Sequence, residues 1–202
     1  GNADAAEALL AILRKQNDPC GLEAVSAIGR LAERGVLTDP ARQAAIDELS
    51  AIFAQSALKD ATLRERILWA MSVIGDPSFG QAYVSALSDQ EAVTVRRAAL
   101  RGIAALKDAQ YVDAIVPVVS DAAPAIRRAA IDLLGELGTT PAHLDALWQR
   151  VDPAIEPDEA TRQSAARGAL RIARKLEGDP LTRLFNRLPA DATQSAAILQ
   201  VM

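Results

Sequence analysis

Val95-Arg96-Arg97-Ala98-Ala99-Leu100-Arg101-Gly102-Ile103-Ala104-Ala105-Leu106 aligns without gaps on Ile126-Arg127-Arg128-Ala129-Ala130-Ile131-Asp132-Leu133-Leu134-Gly135-Glu136-Leu137. Self-similarity at a fixed step is the mark of a repeat architecture, and here Arg96 to Arg127 is a step of 31 residues. The pattern returns upstream at Leu63-Arg64-Glu65-Arg66-Ile67-Leu68-Trp69-Ala70-Met71-Ser72-Val73-Ile74 and, more weakly, downstream at Thr161-Arg162-Gln163-Ser164-Ala165-Ala166-Arg167-Gly168-Ala169-Leu170-Arg171-Ile172. A fainter copy without the leading arginine runs from Leu22 to Leu31. Within a copy, Val95, Ala99, Ile103 and Leu106 recur at helical spacing, which predicts one buried face.

Each copy follows another segment with helical character: Pro77 to Leu87, Tyr111 to Val119 and His143 to Val151. Between segments stand Gly75-Asp76-Pro77, Lys107-Asp108, Gly138-Thr139-Thr140-Pro141 and Gly178-Asp179-Pro180. In these turns Asp or Thr can accept from the first free N–H groups of the next helix, and Pro suits its first turn. Paired helices of this period, joined by tight turns, predict a helical solenoid.

Composition agrees. Half of the 202 residues are apolar, yet only 3% are aromatic. Alanine, the best helix former, is the commonest apolar type, which favours closely stacked helices over a sandwich or barrel. A formal charge of −4 argues against a general nucleic-acid binder, because phosphate neutralisation by Lys and Arg supplies most of that affinity. One cysteine and one histidine cannot make an internal disulfide or an ordinary zinc site, so no metal or cofactor is expected. No apolar run is long enough for a membrane span and no signal-peptide pattern is present, so the compartment is left open. The start at Gly1-Asn2 reads as an excised domain, a processed product or a tag remnant.

The run from Asp121 through Ile126-Arg127-Arg128-Ala129-Ala130-Ile131-Asp132-Leu133-Leu134-Gly135 resembles a HEAT repeat of the short bacterial kind, also found as HEAT-like repeats in bilin lyase subunits. Pro117 falls where that family often places a proline in its first helix. The resemblance implies an all-α fold, a right-handed α-α superhelix spanning residues 1–202 as a single HEAT-like domain. Its clearest repeats are at 60–175, with irregular ends at 1–59 and 176–202. The family also implies that Arg64, Arg96, Arg127 and Arg162 form a ladder with turn aspartates, here Asp60, Asp89 and Asp121.

Catalytic chemistry finds little support. His143 follows Pro141-Ala142 at a helix start and is expected to be a solvated polar residue. Cys20, in Asp18-Pro19-Cys20-Gly21, reads as a small turn residue although a helix N-terminus can activate a thiol. HEAT-like alkylpurine DNA glycosylases share the architecture, and Trp69, Trp148 and Asp132 are the residues such an enzyme would recruit. The acidic chain and the absence of an aromatic and basic cluster weigh against that reading and against nucleic acid as a partner. Nothing marks a chromophore site of the bilin lyase kind.

One residue after the ladder arginine, stepping by four, lie Glu65-Trp69-Val73, Arg97-Arg101-Ala105, Arg128-Asp132-Glu136 and Gln163-Arg167-Arg171. Residues four apart share a helix face, and this face lies off the apolar stripe. The second helices of HEAT-like stacks line the inner surface, so the expected partner-binding residues are Trp69, Arg97, Arg101, Arg128, Asp132, Arg167 and Arg171. The function read from the sequence is a non-catalytic scaffold that binds a protein or peptide on this concave face. A regulatory or structural module of a larger enzyme or sensor is the alternative, and the glycosylase the second. The apolar stretch Ser195 to Met202 is read as a place where the array continues or where the chain self-associates.

Overall fold

The computed structural model describes residues 2–15, 18–56 and 59–188, and these are helical with no strand among them. The chain divides into two compact units, Gly1–Lys107 and Asp108–Met202.

The first unit comprises α1 (Asn2–Leu13), α2 (Gly21–Glu33), α3 (Ala41–Gln55), α4 (Ala61–Ile74), α5 (Gly80–Ser85) and α6 (Val93–Leu106). Helix α2 packs on α4 and α4 on α6, so the second helices of successive pairs form one row, while α1 and α5 contact α3 in the other. The 3.6-residue period explains α6: Val95, Ala99 and Ile103 are fully buried on one side, and Arg97 and Arg101 are exposed on the other. Helix α4 stops at Gly75, whose φ of 68° is the left-handed conformation that closes a helix and suits glycine. A short 3-10 turn at Pro77–Phe79 precedes α5, with Asp76 accepting from the Ser78 amide at 3.0 Å.

The second unit holds 3-10 turns at Ala109–Ile115 and Pro117–Ser120, then α7 (Pro124–Leu137), α8 (Pro141–Gln149), α9 (Glu159–Lys175) and α10 (Pro180–Phe185). Helix α9 is the hub, packing on α7, α8 and α10. The segment Tyr111 to Val119, expected as an α-helix bent at a proline, is instead a pair of 3-10 turns. Pro117 has no N–H to close an α-helical bond to the Asp113 carbonyl, which accepts from Val116 at 3.2 Å instead. Side-chain caps start the later helices: Thr140 for α8, Asp158 for α9 and Asp179 for α10.

The cores are aliphatic. Ile67, Leu68 and Met71 of α4 and Ile131, Leu134, Leu147 and Ile172 of the second unit are fully buried, each contributing on the order of 1.5–3 kcal/mol. No helix of the described residues is long and apolar enough to cross a membrane. The stretch Ser195 to Met202 lies outside the described residues.

Candidate interaction surface on the second helices

Arginines at the repeated position tie the second helices to neighbouring turns, and the carboxylates that Arg64 and Arg127 meet are the glutamates Glu91 and Glu156. Arg64 leaves α4 with Nε at 3.0 Å and 3.2 Å from the two carboxylate oxygens of Glu91, and its Nη2 also donates to Glu91. Its Nη1 donates to the carbonyls of Phe53 and Ser56, both at 3.0 Å, and the guanidinium stacks 4.1 Å over the Phe53 ring. The Glu91 carbonyl in turn accepts from Arg96 Nη1 of α6, which also reaches the Asp89 carbonyl. A single buried glutamate thus joins α4 to α6, with its carboxylate taking one arginine and its carbonyl the next.

The same device recurs in the second unit. Glu156, fully buried, takes Nε and Nη2 of Arg127 on its carboxylate, while its carbonyl accepts from Arg162 of α9 at 2.8 Å. The bond from Arg127, helped by the Asp158 amide, holds the Glu156 carboxyl below the usual glutamate range against the opposing effect of burial. Of the turn aspartates expected to bridge, Asp89 and Asp121 lend their carbonyls to Arg96 and Arg127, and the Asp121 carboxylate accepts from the Ala123 amide. Asp60 stands at the start of α4, its carbonyl accepting from the Arg64 amide.

The surface stripe is exposed where the periodicity put it: Arg97 and Arg101 in the first unit, and Arg128, Asp132, Arg167 and Arg171 in the second, all face solvent. Trp69 is half-buried. The edge of its six-membered ring lies on Gly29 of α2, so close that a Cβ at that glycine would stand 2.3 Å from the ring. Between α4 and α6 a pocket of about 250 Å³ is lined by Thr62, Glu65, Arg66, Trp69, Ala98 and Arg101. The structure therefore brings Trp69 and Arg101 into one pocket, with Arg97 one turn before Arg101 on α6. The Arg66 guanidinium stands 5.9 Å over the Trp69 ring, within cation–π range. Arg66 was not among the residues singled out from the sequence. Its signal was available as the i, i+3 spacing to Trp69.

In the second unit one residue of the stripe, Asp132, is tied into the packing. Asp132 accepts a short hydrogen bond from the Ser164 hydroxyl of α9, and Lys175 donates to the Glu136 and Gly138 carbonyls at 2.6 and 3.0 Å. The seam beneath is narrow, since a Cβ on Gly135 would stand 2.6 Å from the Gly168 Cα.

The remaining candidates are structural. His143 is buried, contrary to the solvated helix start expected for it. The Thr139 and Thr140 amides donate to its Nδ1 at 3.1 and 3.3 Å, which fixes the proton on Nε2, where it is donated to Asp113 at 2.7 Å. Trp148 is buried too, its indole N–H given to the Arg187 carbonyl at 3.0 Å. Cys20 is exposed in the turn before α2.

The family model for HEAT repeats matches residues 80–171, from the start of α5 into α9. No curated protein matches the chain.

Proposed function

We propose, from the premise that this chain is a HEAT-like repeat protein, that it is a non-catalytic scaffold whose second-helix surface binds a protein or peptide partner. HEAT repeats commonly mediate protein–protein interaction. The observation that favours this surface is the α4–α6 pocket, where Trp69 and Arg101, residue types enriched at binding hot spots, converge on one concavity. In the second unit, Arg128, Asp132, Arg167 and Arg171 are exposed on α7 and α9. A rigid helical seat needs little ordering on binding, so contact energy is kept for affinity.

The glycosylase reading loses its second aromatic, because Trp148 is 7% exposed with its N–H engaged and offers no free face to a flipped base. We take residues 1–202 as one domain. A single calorimetric transition of the whole chain supports that, and two independent transitions reject it.

The test is crosslinking and pull-down with the full chain, repeated with Trp69→Ala and with Arg97→Glu combined with Arg101→Glu. Gln81→Lys, at an exposed α5 position, serves as the control. An identified partner should be lost with the stripe variants and kept with the control. Retention by folded stripe variants together with loss in the control would transfer the function to the first helices.

A further inference from the structure

We infer that the α4–α6 pocket seats an acidic side chain of a peptide partner, its carboxylate held between Arg66 and Arg101. This rests on the scaffold reading above and names the partner's chemistry.

The arginines of these helices fall into two kinds. Arg64 and Arg96 are buried and occupied by the Glu91 turn. Arg66 and Arg101 are exposed, line the same pocket, and have no hydrogen-bond or ion-pair acceptor among the described residues. Glu65 is the one carboxylate lining the pocket, which leaves a net charge of +1 that a single carboxylate neutralises. A volume of about 250 Å³ is below the range typical of sites for whole small molecules, about 300–1,000 Å³, and suits one side chain.

The pocket's wall is fixed before a partner arrives. Trp69 is seated on Gly29, where the missing Cβ makes room for it, and the Ser72 hydroxyl is committed to the Trp69 carbonyl at 2.7 Å. Arg66, exposed and over the indole, has no acceptor for its N–H groups among the described residues, and the aliphatic part of an incoming Glu or Asp can lie against Trp69 and Ala98. An arginine over an aromatic ring keeps its fork available for bidentate recognition of a carboxylate.

Charge distribution favours an acidic peptide over a uniform polyanion. Helices α4 and α6 expose Arg66, Arg97 and Arg101 and carry one carboxylate, Glu65, in a chain whose formal net charge is −4. This face of α4 and α6 therefore attracts carboxylates locally, while the chain's net negative charge opposes a long phosphate backbone.

The experiment is selection of short random peptides displayed against the folded full chain, in parallel with the charge-reversed variant Arg66→Glu with Arg101→Glu. Circular dichroism confirms that both are folded. Peptides retained by the parent should be enriched in Asp and Glu, and the variant should enrich Lys and Arg instead. A selected peptide, followed by tryptophan fluorescence, should bind the variant about tenfold more weakly, and replacing its key Glu by Gln should have a similar effect. Peptides that need Trp69 yet show no acidic preference would overturn this inference and leave the scaffold reading standing. Selected peptides indifferent to Trp69, Arg97 and Arg101 would overturn both. A DNA duplex that binds the same residues as tightly as the peptides would replace the peptide by a polyanion.

Discussion

The α4–α6 pair and the α7–α9 pair are built on one plan and differ at one layer. In each, a buried turn glutamate joins two successive arginines, Glu91 for Arg64 and Arg96, Glu156 for Arg127 and Arg162. Above that shared rung, the α7–α9 seam is closed by glycine against glycine, and its polar residues bond across it. In α4–α6 the one glycine, Gly102 of α6, receives the Tyr83 ring of α5 instead. The seam stays open, with a pocket and two guanidinium groups, Arg66 and Arg101, that have no hydrogen-bond acceptor among the described residues. The same repeat step can therefore give a sealed or an open surface, according to whether glycine faces the adjacent second helix or another neighbour.

The largest expected effect breaks the shared rung. Arg64→Ala strands Glu91, 3% exposed, without its cation and removes the donors to the Phe53 and Ser56 carbonyls. Loss of one partner of a buried pair should cost about 3–5 kcal/mol. Arg127 is a little more open and Glu156 keeps the Asp158 amide, so Arg127→Ala should cost less, about 2 kcal/mol. Denaturant midpoints at unchanged slope check both, and midpoints equal to the parent would show that the rung is solvated.

Next in size is the seam itself. Gly135→Ala sets a methyl against the Gly168 backbone, which cannot rotate away, and should cost about 2 kcal/mol despite the better helix propensity of alanine. Gly29→Ala meets only the Trp69 side chain, which can swing outward. It should cost about 1 kcal/mol and shift the tryptophan emission to the red. A Gly135→Ala protein more stable than the parent would show that the two helices do not meet as described.

A pH series examines the rung of the second unit. The folded Glu156 carboxyl titrates below its unfolded value of about 4.3, so between the two values the unfolded chain binds more protons and stability rises with pH. The contribution is complete above the unfolded value and is lost as pH falls through the lower, folded one. Glu156→Gln should flatten the stability profile between pH 3 and 5 relative to the parent, as followed by urea midpoints. Parallel profiles would show that Arg127 does not hold the carboxylate charged.

Much of this was legible in the sequence. The repeated arginine, the apolar stripe behind it and the exposed stripe beside it all follow from the helical period, and the structure keeps them except at Trp69, which is half-buried against Gly29. The acids of the rung were not legible, because Asp89 and Glu91 lie two residues apart in one turn and only the path of the backbone decides which faces Arg64. Glu156 was hidden for a similar reason, next to Pro157 and Asp158. The fate of Tyr111 to Val119 turned on the missing N–H of Pro117, whose consequence was read as a bend and is a change of helix type. His143 looked like a solvated helix start. Its burial depends on Asp113, 30 residues away, a distance across which periodicity says nothing.

The smallest expected effect separates a free stripe residue, Arg101, from a tied one, Asp132. Arg101→Ala removes a side chain with no acceptor among the described residues and leaves the helix its best former, so stability should stay within about 0.5 kcal/mol of the parent. Asp132→Ala gains more helix propensity, since Asp is a poorer helix former than Arg, but takes the acceptor from the Ser164 hydroxyl, which is 2% exposed. Ser164 can fall back on the carbonyl of Ala160, one turn earlier on its own helix, which limits the loss to about 1 kcal/mol. Thermal melts of the two variants should therefore differ in sequence order: Arg101→Ala at the parent midpoint and Asp132→Ala below it. If both melt with the parent, the Ser164 bond contributes nothing net. The second-unit row would then be as unengaged as the first, and the seam glycines alone would distinguish the two pairs.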